Sequence, residues 1–328
     1  MTDLRQIFSH NLLNRLGIVE FGVTNDPNAV SYPNFKEWVT NKKNADLKYL
    51  ENEKMLMRES ISHYFPEFKS AIVFLFDYAK EKRALERFYQ TPESNGFKIG
   101  SYTLIDDGVD YHYSIREKLD VLSNELKKYH TNLKTVFSLD TQPILERDLA
   151  YRAGLGWFGR NSMLINKKYG SFFLIGAILC DQEFAEEVKF IEPDHCGTCT
   201  ACVDACPTDA IDYQTRTVES SKCVPYFTIE KFKDDSLPPQ GFDQMGEIFG
   251  CDICQDVCPW NKKVLSRQDD MNDKINSSIQ HHFLEKSPEE MKEHFESLSK
   301  KGYRREFNRT SFERTGRDGI LKNLKYKK

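Results

Sequence analysis

The stretch CGTCTACVDACP, residues 196–207, has four cysteines spaced C-x2-C-x2-C-x3-C and ends in proline. Three thiolates at this spacing reach one cubane iron–sulfur cluster, while the cysteine before the proline turns to a second cluster. A second run, CDICQDVCP at 251–259, repeats the last part of the pattern, and Cys223 lies between the two runs. This arrangement is typical of two-cluster bacterial ferredoxins.

The ferredoxin pattern predicts two [4Fe–4S] clusters with crossed ligands. The predicted ligands of the first cluster are Cys196, Cys199, Cys202 and Cys258. The predicted ligands of the second cluster are Cys206, Cys223, Cys251 and Cys254. Zinc also binds four cysteines, but zinc ribbons pair two C-x2-C knuckles and lack the third cysteine and the C-P step. The clusters serve either as an electron path or as purely structural groups.

Composition and charge exclude several classes of protein. The chain has 328 residues, 39% of them hydrophobic and 29% charged, as in soluble globular proteins. The longest apolar run, SFFLIGAILC at 171–180, is about half the length of a membrane-spanning helix and predicts a buried strand. No secretory signal is visible at the amino terminus, so disulfides are disfavoured and we expect a cytoplasmic protein.

The apolar pattern predicts mixed α/β or α+β structure in the first half. AIVFLF (71–76) and TVFSL (135–139) are typical of strands, and an apolar stripe predicts a helix over 109–129. SMLIN and GSFFLIGAILC, separated by KKYG, predict a β-hairpin. We expect three domains: a mixed-sheet module at 1–182, a ferredoxin-like domain at 183–265 and a helical, basic C-terminus at 266–328.

The function depends on what the clusters reduce. GLGWFG (154–159) matches the dinucleotide fingerprint G-x-G-x-x-G, but it follows a predicted helix, ERDLAYRA, where the fingerprint should follow a strand. DYH (110–112) contains the Asp–His pair of some cobalt-ligating corrinoid proteins without the rest of that motif. Neither segment by itself identifies the electron acceptor.

Four segments together closely resemble epoxyqueuosine reductase, the iron–sulfur and cobalamin enzyme of tRNA queuosine synthesis. They are LDTQPILERDLAYRAGLGWFGRNSMLI (139–165), CGTCTACVDACPTDAI, KCVPYFTIE and IFGCDICQDVCPWN. The resemblance implies a cobalamin-binding module, with cobalamin bound without a protein ligand to cobalt. It also implies reduction of epoxyqueuosine to queuosine at the wobble position of tRNA. The alternatives are a ferredoxin-like electron carrier, a cluster-stabilised RNA-binding protein and a reductive-dehalogenase-like corrinoid reductase acting on a small molecule.

The resemblance also assigns site residues. The family's D-T-x-P-x-L-E-R segment places the proton donor at Asp140, and burial would raise the pKa of that carboxyl toward neutrality. The competing role of Asp140 is the N-cap of a helix starting near Pro143. Glu146 and Arg147 are interpreted as a local pair. The predicted cobalamin contacts are Arg58, Tyr102, Asp140, Gly159, Arg160, Asn161, Ser162 and Gln255.

The end of the chain is basic, since residues 300–328 have eleven Lys and Arg against three acidic residues. These cations are either a solvated face or a surface for tRNA phosphates. Tyr303, Phe307 and Phe312 among them either stack on bases or pack into a core. The predicted tRNA contacts are Lys300, Lys301, Arg304, Arg305, Arg309, Arg314, Arg317 and Lys322. We expect a monomer that receives electrons from a flavodoxin or ferredoxin-type donor.

Overall fold

The computed structural model describes residues 3–184, 191–231, 236–267 and 275–327. The strands in these ranges are β1 Ile18–Thr24, β2 Ser70–Asp77, β3 Lys98–Ile99, β4 Thr135–Ser138, β5 Trp157–Phe158, β6 Leu164–Ile165, β7 Phe173–Cys180, β8 Ile211–Asp212, β9 Thr217–Val218 and β10 Glu247–Phe249. The helical segments are α1 Leu4–Ile7, α2 His10–Arg15, α3 Tyr32–Thr40, α4 Asn52–Met57, α5 Ala79–Tyr89, α6 Ile105–Gly108, α7 Tyr111–Tyr129, α8 Glu146–Arg152, α9 Ala201–Asp204, α10 Ile253–Asp256, α11 Pro259–Leu265, α12 Ser277–Ile279, α13 Pro288–Ser297, α14 Lys300–Glu306 and α15 Phe312–Lys325. None of these helices has the length and apolar character needed to cross a membrane.

The chain forms two compact units. Unit 1 comprises residues 1–77 and 112–199, and unit 2 comprises residues 78–111 and 200–328. These bounds differ from the three segments expected from the sequence, 1–182, 183–265 and 266–328. The physical reason is that 78–111 contributes Leu85 and Phe97 to the same apolar cluster as Phe283. Sequence composition does not reveal such a long-range packing partner.

Unit 1 is built on a four-stranded sheet in the order β1-β2-β7-β4. Every pairing in it is antiparallel, and the central strand β2 is fully buried from Ala71 to Leu75. A parallel pairing occurs separately, between β3 and β10 in unit 2. The α+β class is therefore confirmed, and the mixed pairing belongs to two sheets instead of one.

The predicted strands and long helix are present, but the predicted hairpin is wrong. β6 pairs with β5, and β7 pairs with β2 and β4, so a single bridge between Asn166 and Gly170 is what joins the two segments. β7 is apolar on both faces, which suits an interior strand with a partner on each side.

Helix α8 lies against the sheet of unit 1 at a point of close approach. A Cβ atom at Gly22 in β1 would lie 2.3 Å from the carbonyl oxygen of Ala153, which follows α8. A glycine is therefore required for the helix to pack at this depth. The packing also fixes the first turn of α8, to which the loop after β4 leads.

Unit 2 has a core rich in aromatic side chains, to which the C-terminal helices contribute. Tyr303, Phe307 and Phe312 expose 1% or less of their surface, so they pack into the core and do not form a stacking surface. Asn323 of α15 is fully buried, and its amide donates to the carbonyls of Thr228 and Ile248, both at 2.9 Å. The basic C-terminus is therefore helical, as predicted, and integral to unit 2.

Candidate functional site

The loop after β4 carries the predicted acid. Asp140 has φ +55°, a left-handed conformation that aspartate adopts more readily than most residues. Helix α8 begins only at Glu146, with Leu145 at the N-cap, so Asp140 does not cap it. The Asp140 side chain is 61% exposed, unlike the burial considered from the sequence. Asp140 is thus accessible to a substrate.

His112 lies beside this acid. Its Nε2 atom is 3.6 Å from Oδ2 of Asp140, and its side chain is 27% exposed. His112 belongs to the DYH segment and lies near the start of α7. The sequence pattern alone gives a structural role for a helical histidine. The contact with Asp140 arises only from the tertiary fold. A protonated His112 would stabilise the carboxylate form of Asp140.

Glu146 is a second carboxyl group in this region. Its Oε1 atom accepts a hydrogen bond from the Ser138 hydroxyl at 3.3 Å. Burial, followed by the charge of Asp140, raises the pKa of Glu146 from 4.5 to about 8, although Arg58 opposes the shift. Glu146 is therefore protonated at neutral pH. The sequence analysis missed this role because adjacent Glu and Arg suggest an ordinary ion pair.

Two arginines complete the region. Arg58 is buried, donates to the carbonyl of Lys54 at 2.8 Å and lies 5.8 Å from the Phe35 ring centroid, so it is not a surface cation. Arg147 is accessible to solvent, yet the surrounding protein desolvates it and lowers its pKa. Arg147 also donates to the carbonyl of Ser162.

That carbonyl belongs to the predicted cobalamin loop, Gly159–Ser162, which connects β5 to β6. The Gly159 amide donates to the Met163 carbonyl at 2.8 Å, and a Cβ at Gly159 would lie 2.6 Å from Ile165. Arg160 and Asn161 are buried, and Ser162 has φ +64°. The tight turn therefore holds its backbone in one conformation beside Arg147.

The other two predicted cobalamin contacts lie in unit 2. Tyr102 is half-buried and packs edge-on against Tyr111, with ring centroids 6.0 Å apart. Gln255 is buried on α10, and its carbonyl accepts from the Asn261 amide at 2.8 Å. Both positions stay predictions as cobalamin contacts.

The cysteine-rich segments of unit 2 have matching local structure. Cys202 and Cys254 each occupy the second position of a four-residue helix, α9 and α10, and the two helices contact each other. Burial, followed by the charges of Cys223 and Cys202, raises the thiol pKa of Cys254, and burial raises that of Cys223 to about 12. Thiols so desolvated are stabilised as thiolates by a metal.

All four cysteines assigned to the second cluster belong to unit 2. Cys251, Cys206 and Cys223 each interact electrostatically with Cys254, so these four thiols are neighbours. Of the first set, Cys202 and Cys258 belong to unit 2, whereas Cys196 and Cys199 end unit 1. The ligand assignment of both clusters stays a prediction. Cys180 is fully buried at the end of β7, in the core.

A buried lysine anchors the second cysteine run. The Lys82 side chain on α5 is 3% exposed, and its ammonium lies 2.7 Å from Asp256, 2.7 Å from Glu86 and 3.5 Å from Asp252. Burial disfavours the ammonium, but the three carboxylates outweigh this effect and raise its pKa. Asp252 also accepts from the Ser101 amide at 2.9 Å. The loop bearing Cys251 and Cys254 is thus fixed to residues 78–111.

The comparisons with known proteins agree with the cysteine geometry and define the class as an iron–sulfur oxidoreductase. Residues 195–261 match a family model described as a 4Fe-4S double cluster binding domain. Residues 58–141, which include Arg58, His112 and Asp140, match the model described as epoxyqueuosine reductase QueG, DUF1730. The protein is 35% identical to an epoxyqueuosine reductase of Cyclobacterium marinum, over 79% of this chain and 76% of the relative. The chain therefore belongs to the epoxyqueuosine reductase family.

Solved structures show the same fold. The epoxyqueuosine reductase structure from Streptococcus thermophilus has a TM-score of 0.79 at 23% identity, over 99% of this chain and 80% of that one. An epoxyqueuosine reductase crystal structure with an epoxyqueuosine-modified tRNA-Tyr stem loop has a TM-score of 0.77 at 23% identity, over 98% and 80% of the two chains. The α+β fold is thus common to these proteins.

Replacing the buried lysine should destabilise the cysteine segments. Lys82→Met leaves Asp252 and Asp256 without their cation, and we expect about 3 kcal/mol of lost stability, as for other broken buried ion pairs. The measurements are the thermal midpoint and the iron content of purified protein. Lys80→Met is the matched control, since Lys80 is on the same helix and 60% exposed. Equal iron content and midpoint in both variants would contradict this anchoring role.

The raised pKa of Glu146 predicts a pH dependence of stability. Between about 4.5 and about 8 the folded state holds a proton on Glu146 that the unfolded state has released, so stability should fall as pH rises through this range. Glu146→Gln removes this dependence. The test compares thermal midpoints across the range for wild type, Glu146→Gln and Glu67→Gln, whose parent side chain is 52% exposed. Parallel curves for wild type and Glu146→Gln would disprove the assignment.

Proposed function

We propose that this protein reduces epoxyqueuosine to queuosine at the wobble position of tRNA. Membership of the epoxyqueuosine reductase family is the observation that carries this conclusion. The reaction takes two electrons and two protons, breaks both C–O bonds of the epoxide and releases the oxygen as water. The double-cluster domain supplies the electron path, and cobalamin is the further cofactor.

The residues of unit 1 suit a cobalamin. Arg147 is a partly desolvated cation, Arg58 adds a second cation, and the Gly159–Ser162 turn presents its backbone next to Arg147. When bound, cobalamin supplies a cobalt centre that accepts electrons from the clusters and delivers them to the epoxide. Nε2 of His112 faces Asp140, in keeping with a cobalt that takes no protein ligand.

Asp140 is the proton donor in this proposal. Its carboxyl is accessible, whereas Glu146 is held protonated by burial nearby. The departing epoxide oxygen acquires negative charge and takes a proton from Asp140, and His112 at 3.6 Å orients the carboxyl. Once Asp140 has donated its proton, it is negatively charged. Glu146 then stays protonated, because neighbouring like charges disfavour joint ionisation.

Some of the predicted tRNA contacts pair with groups of the protein itself, and others form an exposed row on α14. Lys300 and Arg317 both pair with Asp318 at 2.7 Å, Arg314 pairs with Glu230, and Lys322 donates to the carbonyls of Phe227 and Lys231. The Arg309 backbone is held by Asp110 and Glu313, with its residue exposed. Lys301, Arg304 and Arg305 are exposed at i, i+3 and i+4 on α14 and form one stripe. We assign the principal phosphate contacts to this stripe.

The electron donor in this proposal is a flavodoxin or ferredoxin-type protein. Cys199, an assigned ligand of the first cluster, is exposed, so a partner could approach that cluster from solvent. The enzyme acts as a monomer in the cytoplasm, where its tRNA substrate is found.

The central test is Asp140→Asn. An amide cannot donate the required proton as a carboxyl does, so we expect turnover of epoxyqueuosine tRNA to fall by about 10²-fold or more, the usual scale for a general acid. Cluster reduction and tRNA affinity should be unchanged. Asp120→Asn, at an exposed position of α7, is the matched control. Wild-type turnover in Asp140→Asn would refute the assignment, and absence of turnover in wild type would refute the function.

The stripe on α14 predicts a salt-dependent tRNA affinity. The double variant Arg304→Ala/Arg305→Ala should bind tRNA more weakly, and the slope of log affinity against log salt should shrink by about 1 to 2. Filter binding or fluorescence anisotropy over a salt series measures both quantities. Lys127→Ala/Lys128→Ala removes the same charge from the last turn of α7 and serves as control. If the slope of the α14 variant equalled that of wild type, the stripe would be excluded as a phosphate surface.

A further inference from the structure

Three side chains in unit 2 that the proposed reaction does not use converge on one point. Nε2 of His294 is 2.8 Å and Nε2 of His282 is 3.1 Å from the same oxygen, Oε1 of Glu306. The three ligand-type atoms all lie within 4.8 Å of one another. Their side chains are 23%, 15% and 27% exposed, so the group is held by protein on one side and open to water on the other.

Three separate elements supply these side chains. His282 lies in the π-helical turn Gln280–Glu285, His294 lies on α13, and Glu306 is the last residue of α14. π-helical turns are rare in proteins and are frequent at functional sites. The convergence is therefore a product of the tertiary fold and not of one helix face.

The fold holds each of the three residues in place by the same device. Each is followed directly by a buried phenylalanine, Phe283, Phe295 or Phe307. These three rings pack against one another, with centroids 5.3 to 5.9 Å apart. Because the backbone at each position is fixed by this core, the polar groups are positioned before any ligand arrives, as in a preorganised site.

The two imidazole rings are stacked, with centroids 4.6 Å apart and planes at 19°. Both Nε2 atoms face the same oxygen of Glu306, so two nitrogen atoms and a carboxylate oxygen are directed at one point. A cation at the point of convergence would be favoured, because both nitrogen lone pairs and the carboxylate would then face positive charge.

We propose that His282, His294 and Glu306 bind a divalent first-row transition cation, zinc foremost, with water in the open position. Two imidazoles and a carboxylate are ligands that zinc takes, at about 2.0 to 2.2 Å each. Imidazole nitrogen favours such a cation over magnesium or calcium, which prefer all-oxygen sites. The cation would tie α13 and α14 to the π-helical turn.

The test uses the holoenzyme with both clusters assembled, so that the cysteines are occupied. After exposure to zinc and removal of the excess, we expect one zinc per chain by elemental analysis. Zinc K-edge X-ray absorption should show nitrogen and oxygen neighbours with an imidazole pattern and no sulfur. His294→Gln should lose this zinc and the rise in thermal midpoint that zinc produces.

His281→Gln is the matched control, since His281 is the neighbouring residue, is 59% exposed and pairs with Glu285 instead. It should retain one zinc per chain. Zinc bound only through sulfur, or retained equally by His294→Gln, would overturn the proposal. Absence of zinc from the wild-type holoenzyme would show that the three groups form only a hydrogen-bonded cluster, and this outcome would hold even if the variants failed to fold.

Discussion

The ion pairs of Lys82 are the interaction on which unit 2 depends. An ammonium this deeply buried is stable only when its charge is compensated, and its partners Asp252 and Asp256 flank Cys254 in the second cysteine run. The interaction explains why residues 78–111 belong with the second cysteine run although Lys82 and Asp252 are 170 positions apart in sequence.

Burial also governs the acid region of unit 1, where it acts on a carboxyl group instead of an ammonium. Burial raises the pKa of Glu146, and the charge of Asp140 raises it further. The outcome is an accessible carboxyl beside a buried one that stays protonated. Two carboxylic acids, six positions apart, thus differ in their exposure to solvent.

The sequence was sufficient where chemistry fixes spacing. Metal-cluster ligands must recur at set intervals, and a buried strand such as β2 must be apolar, so the double-cluster segment and the central strands were predictable. The partners of β7 were not, because strand pairing depends on contacts between distant segments. For the same reason the sequence did not reveal the desolvation of Glu146 or the contact of His112 with Asp140. It also did not reveal that Lys322 donates hydrogen bonds to carbonyls of the protein itself. Arg58 likewise differs from a surface cation only through tertiary packing.

The close approach of Gly22 to Ala153 makes the position of α8 sensitive to a substitution in β1. One added methyl group at Gly22 would collide with the backbone after α8 and push on the helix whose first turn carries Glu146 and Arg147. A change beside the C-terminal end of α8 would thus also displace the end that carries Glu146 and Arg147. Tolerance to substitution at Gly22 is therefore set by the distance between the sheet and helix layers.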